Sequence, residues 1–218
     1  PLSGNVIVTV NGKEYPVKVT DGKGIATGDK LAAGTYGFAA VWVGDDNYNI
    51  VTENGDFKVN KVDSAIDVAV DTIDFGEDAV ISVKLASDAT GEVVITVNGE
   101  DYNAAIENGV ASVTVSGLKA DDYTVEVKYA GDNNYNEATA DAEFSVSKIS
   151  DYNMDISVPE IKEGVNSTIS VDLPKDATGT VTVEIDGKKY TANVIDGTAN
   201  VIVSGLSAGD YNITTVYS

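Results

Sequence analysis

The chain has 218 residues, 43% of them hydrophobic, and a formal net charge of −21. With no cysteine and no histidine, it offers no disulfide framework, no thiolate metal site, no cysteine nucleophile and no imidazole proton shuttle. No run of roughly 18 apolar residues occurs, so nothing reads as membrane-spanning, and so acidic a surface repels nucleic acid and anionic lipid.

Read from its start, the chain is one pattern written three times. A first repeat fills residues 1–61, a complete second fills 62–148, and a third fills 149–218. Gly4, Gly91 and Gly179 correspond at intervals of 87 (91−4) and 88 (179−91) residues. Tyr15, Tyr102 and Tyr190 keep the same spacing, as do Tyr36, Tyr123 and Tyr211. A period near 87 is too long for a solenoid unit and fits one small sandwich per repeat.

The first repeat opens on alternating valines and turns at Asn11-Gly12. Its Gly22–Gly28 stretch lacks the alternating apolar residues that the second repeat carries from Ala111 to Val115. The fifth strand of that repeat is therefore expected to be irregular. The second repeat reads as seven strands, near 65–71, 79–86, 92–98, 101–107, 110–116, 122–130 and 136–147. Val93, Ile95 and Val97 share one face of a β-branched run. That run ends at Asn98-Gly99, a strong hairpin signal because both residues accept positive φ. A second turn, Asn108-Gly109, precedes Val110. Tyr123, Val125, Val127 and Tyr129 then alternate with Thr124, Glu126 and Lys128, which predicts a half-buried strand with one charged face. The third repeat follows the same course through Asp186-Gly187 and stops at Tyr217-Ser218. Short strands at this regular spacing predict an all-β sandwich.

A leucine precedes a tyrosine by five residues in each repeat: Leu31 and Tyr36, Leu118 and Tyr123, Leu206 and Tyr211. A tyrosine opening the sixth strand, with its hydroxyl bonded back to upstream backbone, is the tyrosine corner of immunoglobulin-like sandwiches. The fold class expected is thus all-β, as tandem immunoglobulin-like β-sandwich repeats. The run VTVNGxxY, then LxAGxY, YxGDxNY and FxVxK, resembles the bacterial-type Ig-like repeats of large cell-surface, adhesin-like proteins, most of all those of methanogenic archaea. Residues 129–135 and 42–48 carry the match. The resemblance implies an extracellular, cell-anchored stalk of many modules and implies no ligand.

No Gly/Ser-rich or Pro-rich spacer separates the repeats, at either Lys61-Val62 or Lys148-Ile149. Neighbouring modules are expected to touch and to form a rod with limited bending. No P-loop, GxSxG or dinucleotide fingerprint occurs, and most carboxylates fall in turns or on outward strand positions, so no enzyme is expected. Lys84 and Lys128 alternate with inward residues and point outward, which leaves no candidate for an internal isopeptide crosslink. Asp45, Asp46, Asp132 and Asn133 offer the hard oxygen ligands that calcium prefers, but the same residues build turns; no cofactor is expected beyond weakly held calcium. Tyr48 and Tyr135 could stack on a sugar, although packing in the core or at a joint accounts for them as well. Asn166 and Asn212 head acceptor sequons for N-linked glycan.

The first repeat has no counterpart of Val62–Ser87, and the third has none of Gly131–Lys148. Each incomplete repeat is expected to be completed by another polypeptide: the continuing chain, a swapped neighbour or the next subunit of a fibre. Pro1 is read as a cut in a longer protein or simply as the start of this stretch. Two functions compete. One is a structural stalk or fibre module on the cell surface, partnered by neighbouring repeats or identical subunits. The other is an adhesive module that grips glycan or a host surface. A binder needs divergent loops, whereas GDDNYN and GDNNYN are nearly the same, which favours the structural reading.

Overall fold

A computed structural model of the chain describes residues 4–218; Pro1 lies outside them. Every regular element among the described residues is a strand. Two compact units result, one ending at Lys148 and one spanning Ile149–Ser218.

The first repeat is a single antiparallel sheet. Its strands are β1 (Gly4–Val10), β2 (Lys13–Val19), β3 (Gly34–Trp42) and β4 (Val51–Val59), in the order β2-β1-β3-β4. The stretch expected to be irregular is so: beyond a short Thr20–Lys23 bridge, no strand forms before Gly34. With no second layer among the described residues of this repeat, Val17 is the only buried one of them.

The second repeat is a complete sandwich. It comprises β5 (Asp67–Ala69), β6 (Ile73–Asp74), β7 (Ala79–Lys84), β8 (Glu92–Val97), β9 (Glu100–Ala105), β10 (Val110–Val115), β11 (Asp122–Tyr129) and β12 (Ala138–Ser147). One sheet runs β10-β7-β5 and the other β6-β12-β11-β8-β9. Between them lies one core, with Ile81 and Val83 from the smaller sheet meeting Ile95, Val125, Val127 and Phe144 from the larger. The Asn98-Gly99 turn has φ values of 50° and 88°. Positive φ at both positions matches the right-handed twist of the flanking strands, and Val97 pairs directly with Glu100.

The expected first strand, 65–71, is corrected by the structure. It divides into β5, which pairs with β7, and β6, which runs parallel to β12 through Val146↔Ile73 and Ser147↔Asp74. One continuous strand would satisfy the edge of one sheet and leave the other open. Crossing between the layers at residues 70–72 lets the same segment cover both edges.

The second unit follows the same plan. β13 (Asp155–Ser157), β14 (Ser167–Asp172) and β17 (Thr198–Val203) form one sheet, in the order β13-β14-β17. β15 (Thr180–Ile185), β16 (Lys188–Asn193) and β18 (Ile213–Tyr217) form the other, in the order β16-β15-β18. Ile169, Val171, Val181, Val183 and Val201 make its core. The molecule is thus an all-β chain on the immunoglobulin-like plan, two-layered in the second and third repeats and a single sheet in the first, with the connection between β11 and β12 at the end of the second repeat that faces the first.

Candidate functional site

That connection, residues 130–137, is the most highly organised loop of the first unit. It turns at Gly131, with φ of 80°, where an added Cβ would fall 2.6 Å from the carbonyl oxygen of Tyr135. Only glycine permits so close an approach. One carboxylate oxygen of Asp132 accepts hydrogen bonds from the backbone N–H groups of Asn134 (2.7 Å) and Tyr135 (2.9 Å). The other accepts from the Thr90 N–H (2.8 Å) and hydroxyl (3.0 Å). A short polar side chain that satisfies its own turn is what Asp supplies here. The first repeat builds the same loop. Gly44 has φ of 82°, and Asp45 accepts from the N–H groups of Asn47 (2.8 Å) and Tyr48 (2.9 Å).

In the second repeat the loop also grips the junction with the first. Val62 donates its N–H to the Asn134 carbonyl (2.8 Å), and its own carbonyl accepts from the Asn136 N–H (2.9 Å). The Lys61 ammonium donates to the Asp132 carbonyl (2.5 Å), and the Ser64 hydroxyl to the Asn136 carbonyl (2.5 Å). The Asn136 amide donates to Asp63 (2.7 Å). Across the junction, Ala33 N–H donates to the side-chain oxygen of Asn134 (3.1 Å). β4 ends at Val59, so only Asn60 stands between the last strand of the first repeat and the first gripped residue, Lys61.

Ala33 belongs to the loop that the tyrosine closes. The Tyr36 hydroxyl donates to the Ala32 carbonyl (2.9 Å), Tyr123 to Lys119 (3.0 Å) and Tyr211 to Ser207 (2.9 Å). The Tyr123 oxygen also accepts from the Lys119 N–H (3.1 Å). Tyr36 stacks on Phe57 and Tyr123 on Phe144, with centroids 5.8 and 5.3 Å apart. The apolar ring anchors the loop while its hydroxyl pins the backbone.

Electrostatics reinforce the loop. Burial opposes ionisation of Asp132, but the N–H groups of Asn134, Thr90 and Tyr135 and the Thr90 hydroxyl outweigh it and hold the carboxyl well below its usual range. The Tyr135 hydroxyl donates to Asp88 (2.5 Å), a bond that raises the phenol and lowers the carboxyl. Burial, then the nearby Asp132, pushes Tyr129 up to about 12. These shifts keep each group in its neutral-pH form.

The carboxylates of Asp45 and Asp132 face their own backbone donors, and Asp46 and Asn133 are exposed. Among the described residues no group of three or more acidic side chains is placed to hold a metal. Tyr135 packs against the core. Tyr48 departs from the expectation of core or joint packing: it is 59% exposed and touches Trp42 on one side, at 6.1 Å. Among the described residues no second layer stands over the first sheet to enclose it. Lys84 and Lys128 point outward. Asn166, just before β14, and Asn212, just before β18, are exposed. Sequence reasoning missed the gripping residues Lys61, Asn134 and Thr90. The recurring Gly-Asp-x-Asn-Tyr loop was the visible signal, but its partners are mostly backbone N–H groups, which no residue type announces.

No curated protein matches the sequence. Among solved structures, a three-immunoglobulin fragment of titin carrying a Glu-to-Ala change is similar at 13% identity, with a TM-score of 0.45 over 96% of this chain and 82% of that one. The β-glucuronidase of Parabacteroides merdae is similar at 12% identity, with a TM-score of 0.32 over 71% of this chain and 25% of that one. SGBP-B of the Bacteroides ovatus mixed-linkage glucan utilisation locus, solved with a mixed-linkage heptasaccharide, is similar at 15% identity, with a TM-score of 0.24 over 97% of this chain and 54% of that one. Domains of the bacterial Ig-like kind occur often in extracellular proteins and are in general not enzymes. Residues 67–147, nearly the whole second sandwich, match the family of bacterial Ig-like domains (group 3).

Proposed function

We propose that this chain is a length of stalk or fibre in an extracellular, cell-surface protein of the adhesin-like kind, and that it performs no catalysis. The observation that carries the reading is the junction at residues 60–64. With Lys61, Val62, Asp63 and Ser64 all bonded to the 131–137 loop, the first and second modules have almost no free linker. A chain built to project something needs that property, because a flexible spacer collapses into a coil. The high negative charge keeps such a surface soluble at high local density. Asp45 and Asp132 act in this reading as turn locks, not as cation ligands.

Assembly by strand complementation extends the proposal. Val93, Ile95 and Val97 are buried beneath β7 and β10, while their counterparts Val6, Val8 and Val10 are only half-buried. We infer that in the assembled protein counterparts of β5 and β7 cover the first sheet, supplied by preceding residues of a longer chain or by a neighbouring subunit. Sedimentation of residues 1–218 tests this. Concentration-dependent oligomers support it, whereas a stable monomer whose first and third repeats resist protease contradicts it. The competing adhesive reading is tested on a glycan array, where the stalk reading expects no saccharide-specific signal.

A further inference from the structure

The Gly-Asp-x-Asn-Tyr loop occurs twice with one internal geometry and two surroundings. In the first repeat Asp45, Asn47 and Tyr48 are exposed; in the second, Asp132, Asn134 and Tyr135 are partly covered. The internal bonds agree closely: Asp45 N–H to the Tyr48 carbonyl at 3.0 Å, and Asp132 N–H to the Tyr135 carbonyl at 3.1 Å. The loop therefore holds its shape without a neighbour and is preorganised for one. What covers the second copy is its own Thr90, the junction residues 61–64, and the corner loop of the preceding repeat. Asn134 alone connects all three levels. Its N–H is held by Asp132, its carbonyl receives Val62, and its side-chain oxygen receives Ala33 from the repeat before.

We propose that the 131–136 loop is a joint lock, that its docking partner is the tyrosine-corner loop of the preceding Ig-like repeat, and that the Asn134 side chain fixes the angle between the two modules. The inference rests on the stalk reading and supplies the device that makes a stalk stiff. The chemistry of the partner is a backbone N–H at the rim of a loop whose position is set by Tyr36. Asn134 reaches across the junction and accepts from it, while Asp132 leaves the Asn134 amide oxygen free by satisfying the turn. The ion pair across the joint, Lys30 with Asp88 at 3.8 Å, joins two exposed side chains and adds little. Orientation therefore depends on Asn134, and proximity on Lys61 and Val62. The same corner loop recurs at Ala120 and Ala208, so the rule extends along a longer array wherever a Gly-Asp-x-Asn-Tyr loop follows.

The absence of cysteine makes the test direct. Lys18→Cys in β2 and Glu126→Cys in β11, both exposed, carry a dye pair for single-molecule energy transfer on the full chain. The parent pair should give one narrow distance distribution. Asn134→Ala should broaden it by about a factor of two, as a joint loses its fixed angle. Asn134→Asp, which keeps the acceptor oxygen, should restore the narrow width, and Asn47→Ala in the unoccupied loop should leave it unchanged. Should Asn134→Ala unfold the second repeat by circular dichroism, Ala33→Pro, which removes the donated N–H from the first repeat's side of the same bond, replaces it, with the same broadening expected. A broad distribution in the parent pair, or unchanged width in a folded Asn134→Ala, overturns the proposal. Loss of the lock with threads still seen for the intact protein would sink this inference alone; a narrow joint in a compact protein would sink the stalk reading instead.

Discussion

Ala33 and Asn134, 101 residues apart in sequence, meet across the junction between two repeats through a 3.1 Å hydrogen bond from backbone N–H to side-chain amide oxygen. Each residue is held in place by its own repeat, Ala33 by the Tyr36 corner and Asn134 by the Asp132 turn. The contact therefore joins two preformed loops and orders little that was mobile before.

The Asp132 turn should be the more costly of the two loops to break. Asp132→Asn exchanges one acceptor oxygen for a donor among four hydrogen-bond donors, and is expected to destabilise the second repeat by about 1–3 kcal/mol. Asp45→Asn, with only two donors from its own loop, should cost less. The pH dependence has a definite sign. Because the folded carboxyl lies below its ordinary value of 3.8, its ionised form adds stability above that pH. The contribution is lost as pH falls further. The melting-point gap between parent and Asp132→Asn should be widest near neutrality and shrink below about pH 4. A gap independent of pH would refute the assignment.

Removal of the corner hydroxyl gives a second prediction. Tyr123→Phe leaves the Lys119 N–H and carbonyl without their partner in a half-buried site, and should cost about 1–2 kcal/mol by urea titration. Tyr36→Phe and Tyr211→Phe, whose bonds are more exposed, should cost less. Equal losses at all three positions would mean that ring packing, not the hydroxyl, carries the corner.

Covered and uncovered faces should respond differently to truncation. Ile95→Ala, at a fully buried position, is expected to cost about 2–5 kcal/mol. Val8→Ala, its counterpart on the half-covered first sheet, should cost well under ~1 kcal/mol in dilute solution. It should cost more once oligomers form, if complementing strands bury that face. The comparison is read from denaturation at two protein concentrations.

Asn166 stands exposed at the entry to β14, with Thr168 two residues on and also exposed. In its native host this asparagine is expected to carry glycan, and Asn212 to carry less. Intact mass of native material that equals the bare peptide would remove the prediction.

Much of the second repeat was legible because its physics is local. Alternation in Val93–Val97 and Tyr123–Tyr129 placed strands and faces, and Asn98-Gly99 placed a hairpin, since each signal depends only on neighbours in sequence. The lost alternation at Gly22–Gly28 likewise marked a strand that does not form. The division of the first strand at residues 70–72 was not legible: which sheet edge a segment covers is decided by distant β7 and β12. The joint was half legible. The absence of a spacer at Lys61-Val62 predicted contact, but Asn134 has the composition of any turn asparagine, and its partner is a backbone N–H.

The central claim, that these modules are units of an extended stalk, is tested most directly by negative-stain imaging of the intact native protein. The account predicts unbranched threads of uniform width whose length grows in proportion to the number of repeats, with few sharp bends at the joints. Compact globular particles, or chains of beads bending freely between modules, would contradict it.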